Sequence, residues 1–359
     1  MAVKNKATNA GVEALSGFAF QRNSAIYLIL DNYVSLVKND FFVCIEHHDD
    51  VIFAHQDSCN KLTKVNVYQA KKSTSTWNVN SKFAEIIAKL TNVGSAIEQD
   101  KYVKSTGYSQ ELHFLSNKSI KLSCGKRGKG AVSHSVKEND VQINYQNLHS
   151  KIQSNILTQL NSHKYTSKQL LNVGFLYVDM GNVDKSQQNQ LAGMLGELFK
   201  GQITDPQAAL DLMLSLFRKA ETIYNQGDIS RLLDKSKRIS GKEILRALNV
   251  ITTRSKTFKF WREHAKEIVK ELKIPISKSS RYEEYINNSF DFFKDLQEVE
   301  HRKIFNFVND NRQVDNYCID YSGCISELHK EFFNKHQTQL NSEIVLFAIV
   351  AAFVETREG

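Results

Sequence analysis

Apolar positions in the first half of the chain alternate between two rhythms. Over residues 12–37, Phe20, Tyr27, Leu30 and Val34 recur at helical spacing, which predicts a first helix. Three segments at 41–46, 50–55 and 65–71 are then rich in Val, Ile, Phe and Tyr and are joined by short turns, the pattern of an antiparallel meander. Helical spacing returns over 82–97, with Phe83, Ile86, Ile87, Leu90 and Val93 on one face. Residues 112–116 and 173–178 read as two further buried strands. Helix, meander, helix, strand, helix, strand predicts an α/β core with a mixed sheet. From Gln207 onward the spacing is almost wholly helical, broken near 250–256 by ITTRSK. The pattern thus predicts a mixed-sheet domain over 1–250 and an all-α domain over 251–359, and 359 residues exceed what one core usually serves. The Gly- and Lys-rich segment 121–140 has the composition of a loop.

Composition narrows the class. Hydrophobic residues make up 41% and charged residues 24%, ordinary for a globular protein. The longest apolar run, 344–354, is bounded by Glu343 and Glu355. It is far short of the ~20 residues that cross a bilayer, so it predicts a buried helix and no membrane. Five scattered cysteines without a CxxC pair support neither a zinc site nor a disulfide framework. With no visible signal peptide, the expected compartment is the reducing cytoplasm. The excess of 47 basic over 39 acidic residues gives a net charge of +8 and favours a polyanionic partner without establishing one.

The densest chemistry lies between Phe41 and Lys72. Along the third strand Val65, Val67, Gln69 and Lys71 share one face, so a carboxamide oxygen and an ammonium stand two residues apart. The turn before it carries Glu46, Asp49 and Asp50. Carboxylates, a neutral oxygen donor and a lysine are what Mg²⁺-dependent phosphodiester cleavage requires. Each feature has a plainer reading. The acids suit a solvated β-turn, and Lys71 suits an edge strand guarded against aggregation. If the strand lies mid-sheet, however, burying Gln69 and Lys71 unpaired would cost several kcal/mol. His47 and His48 read as turn residues, and Asp49 competes with Asp50.

Gly17-Phe18-Ala19-Phe20-Gln21, then Glu46, then Asp50-Val51, then Gln69-Ala70-Lys71 together resemble the PD-(D/E)xK nuclease superfamily. The similarity is to the variant in which glutamine replaces the second acid. That variant is found in bacterial anti-phage effectors, including cyclic-oligonucleotide-signalling and Lamassu-type systems. It covers residues 10–120 with specific motifs, extends weakly to 250, and says little of 256–359. It implies a restriction-endonuclease-like mixed sheet flanked by helices, followed by the all-α C-terminal domain. It implies Asp50 and Gln69 as metal ligands, Glu46 as an auxiliary acid and ligand, and Lys71 as the group that orients water and stabilises developing charge. Gln21 would face the site from the first helix. The implied cofactor is Mg²⁺, with Mn²⁺ as the alternative. Implied partners are double-stranded DNA, other defence-system subunits (an SMC-like ATPase complex among them) and further copies of the chain in the active state.

The run Gly125-Lys126-Arg127-Gly128-Lys129-Gly130 is not a P-loop, because Ala131 stands where that motif needs lysine. Lys126, Arg127 and Lys129, with Lys72, are candidate contacts to DNA phosphates, against the even alternative of a solvated loop. Aromatic residues from Phe258 to Phe307 recur at helical spacing and predict core packing rather than base stacking. The expected activity is therefore a metal-dependent DNA endonuclease, suppressed until partners assemble it. Two rivals are a non-catalytic nucleic-acid-binding or scaffold subunit that keeps the fold, and a structural assembly protein.

Overall fold

A computed structural model describes residues 10–47, 50–125, 130–200, 203, 206–221, 232, 234–293 and 298–358. The chain divides into two compact units, one of residues 1–198 with 206–245 and one of 199–205 with 246–359.

The first unit opens with helix α1 (Ala10–Asp31) and a short α2 (Tyr33–Leu36). Strands β1 (Asp40–His47), β2 (Asp50–Gln56) and β3 (Leu62–Lys71) follow as the expected meander. A two-residue β4 (Trp77–Asn78) leads into α3 (Ser81–Gln99), which returns the chain to β5 (Lys104–Ser116), parallel to β3. Next come β6 (Ile120–Cys124), β7 (Val132–Val136), β8 (Gln142–Asn144), α4 (Ser150–Leu160), α5 (Ser167–Leu170) and β9 (Val173–Tyr177). Helices α6 (Asp184–Leu198) and α7 (Pro206–Glu221) and strand β10 (Arg238–Ser240) complete the unit. The seven-stranded sheet runs β10-β1-β2-β3-β5-β9-β8, with β3, β5 and β9 parallel and the other pairings antiparallel. This is a mixed sheet flanked by helices, of restriction-endonuclease-like architecture.

One face of the sheet presents Cys44, Ile52, Val65, Val67, Leu112, Phe114 and Phe175 to the apolar side of α3. Asn80 caps α3 by accepting from the Phe83 N–H at 3.0 Å. Gly94 lets the helix lie close on β5, because a Cβ there would sit 2.6 Å from Leu112 Cδ1.

Two sequence expectations need correction. Segment 121–140 is not plain loop: β6 and β7 form a hairpin that pairs with β4 in a separate three-stranded sheet. Its alternation of Ile120 and Leu122 (both fully buried) with lysine and serine is a strand period that the Gly and Lys content hides. The chain beyond Gln207 is not wholly helical either, since β10 adds an edge to the sheet beside β1.

The second unit contains α8 (Gly241–Leu272) from Arg246 onward, then α9 (Ile276–Ser279), α10 (Tyr282–Phe292), α11 (Val299–Asp310), α12 (Tyr321–Lys335) and α13 (Ser342–Glu358). Residues Val345–Ala352 of α13 are fully buried, as the apolar run predicts, and Phe258, Trp261, Phe290 and Phe307 pack in the same core. Among the described residues no helix is long and apolar enough to cross a membrane.

Candidate active site

Strand β3 lies between β2 and β5, so the edge-strand reading of Lys71 is excluded. Its alternate residues Val65, Val67, Gln69 and Lys71 continue the row that faces α3. Val67 stands beside Leu112, Gln69 beside Phe114 and Lys71 beside Ser116 on β5. Gln69 is buried, at 3% exposure, in an apolar layer where a carboxamide without a partner would cost roughly 2–7 kcal/mol. It is engaged by a partner there. Lys71, two residues further out, is half-buried at the strand end.

The acidic hairpin is tied to this row by register. Val51 faces Tyr68 and Ile52 faces Val67. Asp50 is the next residue of β2 beyond Val51, and Gln69 the next of β3 beyond Tyr68. On the other side of β2 the pairing slips: Cys44 faces Ile52, but His47 faces Asp50. Strand β1 therefore carries one residue more than β2 in this interval, a bulge that takes in Ile45 and Glu46. Simple alternation along β1 is interrupted at this point. Of the proposed acids, Asp49 lies outside the described residues, as does His48, and for Glu46, His47 and Asp50 only the backbone belongs to them.

Strands β3, β5 and β9 end together at their carboxyl ends, in the row Lys71, Ser116, Tyr177. Open α/β sheets place ligands at this edge. Ser116 Oγ accepts the Trp77 indole N–H at 2.9 Å. Asn117, buried, accepts the Ser73 N–H at 2.9 Å and donates to Asn182 Oδ1 at 2.8 Å. The Tyr177 hydroxyl donates to Glu138 at 3.1 Å, and burial, with that carboxylate, pushes it up to about 12. The carboxyl edge is thus a set of fixed polar groups around Lys71.

Helix α1 approaches the sheet from the other side. Its Leu28 and Asn32 meet Phe53, Asn66 and Tyr68 around a cavity of about 340 Å³, and its Ser16 receives the Lys72 ammonium. Gln21 is buried on this helix, which packs on the Asn66–Tyr68 face of β3, and is engaged by a partner. Sequence reading missed its neighbours. Arg22, Asn23 and Ser24 are buried too, which makes four consecutive polar residues inside a helix. Arg22 pairs with Glu221 of α7 at 3.0 Å, while Asn23 donates to Asp184 and Gln187 of α6 at 2.7 and 2.8 Å. Burial raises the Glu221 carboxyl above its ordinary range, and Arg22 opposes that rise. The signal was present in the sequence as QRNS within an otherwise apolar helix; its partners lie more than 160 residues away.

The opposite sheet face also carries an ion cluster. Glu111 accepts from Lys64 at 2.8 Å and from His113 at 3.3 Å, and His113 stacks on Tyr68 at 4.8 Å. The His113 hydrogen bond, aided by Lys64, holds the Glu111 carboxyl down at about 2. Glu111 of β5 thus pairs with Lys64 of β3, and the cluster joins the two strands. The tentative DNA contacts Lys126, Arg127 and Lys129 lie outside the described residues, between Gly125 and Gly130, whose φ values are +90° and +97°.

The mixed sheet with its flanking helices defines the class of fold as restriction-endonuclease-like. Residues 9–221, more than half of the chain, match the family model described as Cap4, dsDNA endonuclease domain. The chain therefore belongs to the Cap4 double-stranded-DNA endonuclease domain family and is a DNA nuclease of anti-phage defence. No curated protein and no solved structure matches it significantly.

Proposed function

We propose that the chain cleaves double-stranded DNA by Mg²⁺-dependent phosphodiester hydrolysis at the carboxyl end of β3, with Mn²⁺ able to substitute. The observation that supports this most is Gln69 followed by Lys71 on one face of an interior strand, beside β2, whose residues paired with that strand begin one position after Asp50. Asp50, Gln69 and Glu46 would hold the ion. Their carboxylate and carboxamide oxygens are the hard donors that Mg²⁺ selects, and only one or two carboxylates are needed when water and phosphate complete the shell. An ion held there would supply a lowered water pKa and offset charge on the phosphate.

The protein's own residues do the rest. The Lys71 ammonium would donate hydrogen bonds to the attacking water, orienting it, and to a non-bridging phosphate oxygen, where negative charge grows in the transition state. Gln69, fixed by burial, gives an oxygen donor with no charge of its own, so Asp50 and Glu46 carry the whole anionic share. Gln21 supports the strand end from the layer behind it. One such site cuts one strand, so a double-strand break needs two copies. Assembly with further defence-system subunits would then control an activity that otherwise endangers the host genome. The helical unit is the surface available for that assembly.

The direct test is plasmid cleavage by the wild type in Mg²⁺ and in EDTA, beside Lys71→Ala. Loss of cleavage in EDTA and a fall of about 10²–10³-fold in the mutant are expected. A mutant as active as the wild type would remove Lys71 from the mechanism. DNA binding with no cleavage under any metal condition or partner would favour the scaffold reading.

A further inference from the structure

One groove, which begins at Lys72, the residue after Lys71, is not used by the chemistry above. Immediately after β3 the chain reads KSTSTWNVNSK, residues 72–82, and folds around a groove of about 460 Å³. The described residues lining it include Lys72, Thr74, Ser75, Thr76, Asn78 and Lys82, and none of them is acidic. The sequence has no Asp or Glu between Asp57 and Glu85, in a chain where acids are otherwise frequent. Thr74, Ser75, Thr76, Asn78 and Lys82 are exposed.

The groove is held in shape from below. Ser73 N–H is fixed on buried Asn117, the Trp77 indole on Ser116, and the Trp77 backbone N–H on the Ser119 carbonyl at 2.9 Å. The Trp77 ring stands edge-on to Phe114 at 5.2 Å and has the Lys82 ammonium over it at 5.6 Å. Short hydroxyl donors with ammonium groups are the set that binds phosphate oxygens and reads no base. A wall braced in advance loses little conformational entropy on binding.

We propose that residues 72–82 form the subsite that seats the DNA phosphodiester backbone next to the scissile phosphate, without sequence preference. The position of the subsite rests on the reading of Lys71 as the cleaving end, but its existence can be tested by binding alone. In the full chain, with EDTA present so that no DNA is cut, anisotropy of a labelled blunt duplex measures affinity across a salt series. Ser75→Glu and Lys82→Glu each place negative charge in the groove on an exposed side chain, and thermal melting checks that they fold. Each is expected to weaken binding by about tenfold or more, and Lys82→Ala to lower the slope of log affinity against log salt by about 1. Lys89→Glu, on the same helix but outside the groove, should bind like the wild type.

Wild-type affinity and salt slope in the Ser75 and Lys82 variants would overturn the proposal. If Lys71→Ala abolishes cleavage in that case, the catalytic reading survives alone. If Lys71→Ala cleaves normally while the groove variants fail to bind, the subsite stands and the catalytic reading falls.

Discussion

The sheet-bearing unit takes carboxamides and a guanidinium into its interior: Gln21, Arg22, Asn23, Gln69, Gln110, Asn117, Gln169 and Gln187 are all buried. The helical unit buries hydroxyls and two histidines instead, among them Thr257, Ser289, Ser326, Thr356, His301 and His329. The difference is one of reach. Thr257, Ser289 and Thr356 each donate to a carbonyl four residues back in their own helix, at 2.7, 2.8 and 2.8 Å, and so close their hydrogen bonds locally. A carboxamide has two donors and an acceptor oxygen and must find tertiary partners, as Gln110 does at Gly94 O and Asn117 at Asn182. Buried groups of this kind fix one arrangement of strands and helices, at the risk of a large penalty if a partner is lost. Five of the eight lie on α1 (Gln21, Arg22 and Asn23) or at the carboxyl ends of β3 and β5 (Gln69 and Asn117), the ends where the proposed chemistry lies. The helical unit carries hydrophobic mass, and among its described residues nothing in the core demands a reactive role.

The largest expected effect lies in that hydrophobic mass. Phe347 is fully buried, stacked on Tyr285 at 5.1 Å and against Trp261 at 4.7 Å. Phe347→Ala should cost about 3–5 kcal/mol. Scanning calorimetry should show the loss in one transition of two; a common shift of the whole endotherm would mean that the units melt together. Next comes the Arg22–Glu221 pair. Arg22→Met leaves a carboxylate in a buried place and should cost about 3 kcal/mol in urea unfolding, with most of it recovered in Arg22→Met/Glu221→Leu. Equal losses in the single and double variants would show that the pair stabilises the fold on its own account.

Gln69→Leu should reduce cleavage by about 10²-fold while changing unfolding free energy far less than Phe347→Ala does. Gln69→Glu, which adds the missing acid, should lower the Mg²⁺ concentration for half-maximal cleavage. An unchanged metal requirement would argue against Gln69 as a ligand. The smallest effect concerns acid. The folded Glu111 carboxyl sits at about 2, below its ordinary 4.5, so its stabilisation is complete above 4.5 and disappears as pH falls through 2. Its side chain is 44% exposed, which limits the contribution to less than about 1 kcal/mol. Glu111→Gln should flatten the acid limb of the stability curve between those values, and an identical limb would remove this cluster from the account.

Much of the fold was legible because period is a local property. The meander and α3 follow from alternation by two or by 3.6 in Val65–Val67 and Phe83–Ile87, α13 follows from its unbroken apolar run between Glu343 and Glu355, and the Gln69–Lys71 face follows from alternation as well. Features that depend on distant partners were not legible. Strand β10 joins β1 from nearly 200 residues away, and the bulge at Ile45 and Glu46 exists only relative to β2. Alternating Ile120 and Leu122 made strands out of a segment whose glycines and lysines suggest a loop. The burial of Arg22 and Asn23 depends on α6 and α7, which no window around α1 contains.

The central claim is that the face of β3 bearing Gln69 and Lys71 seats a divalent cation. Anomalous diffraction from crystals soaked in Mn²⁺ tests it most directly. The account predicts a peak within bonding distance of the Gln69 carboxamide oxygen and the Asp50 carboxylate, with the Lys71 ammonium nearby. No peak on that face at saturating Mn²⁺, or a Gln69 oxygen directed away from the only peak, would contradict it.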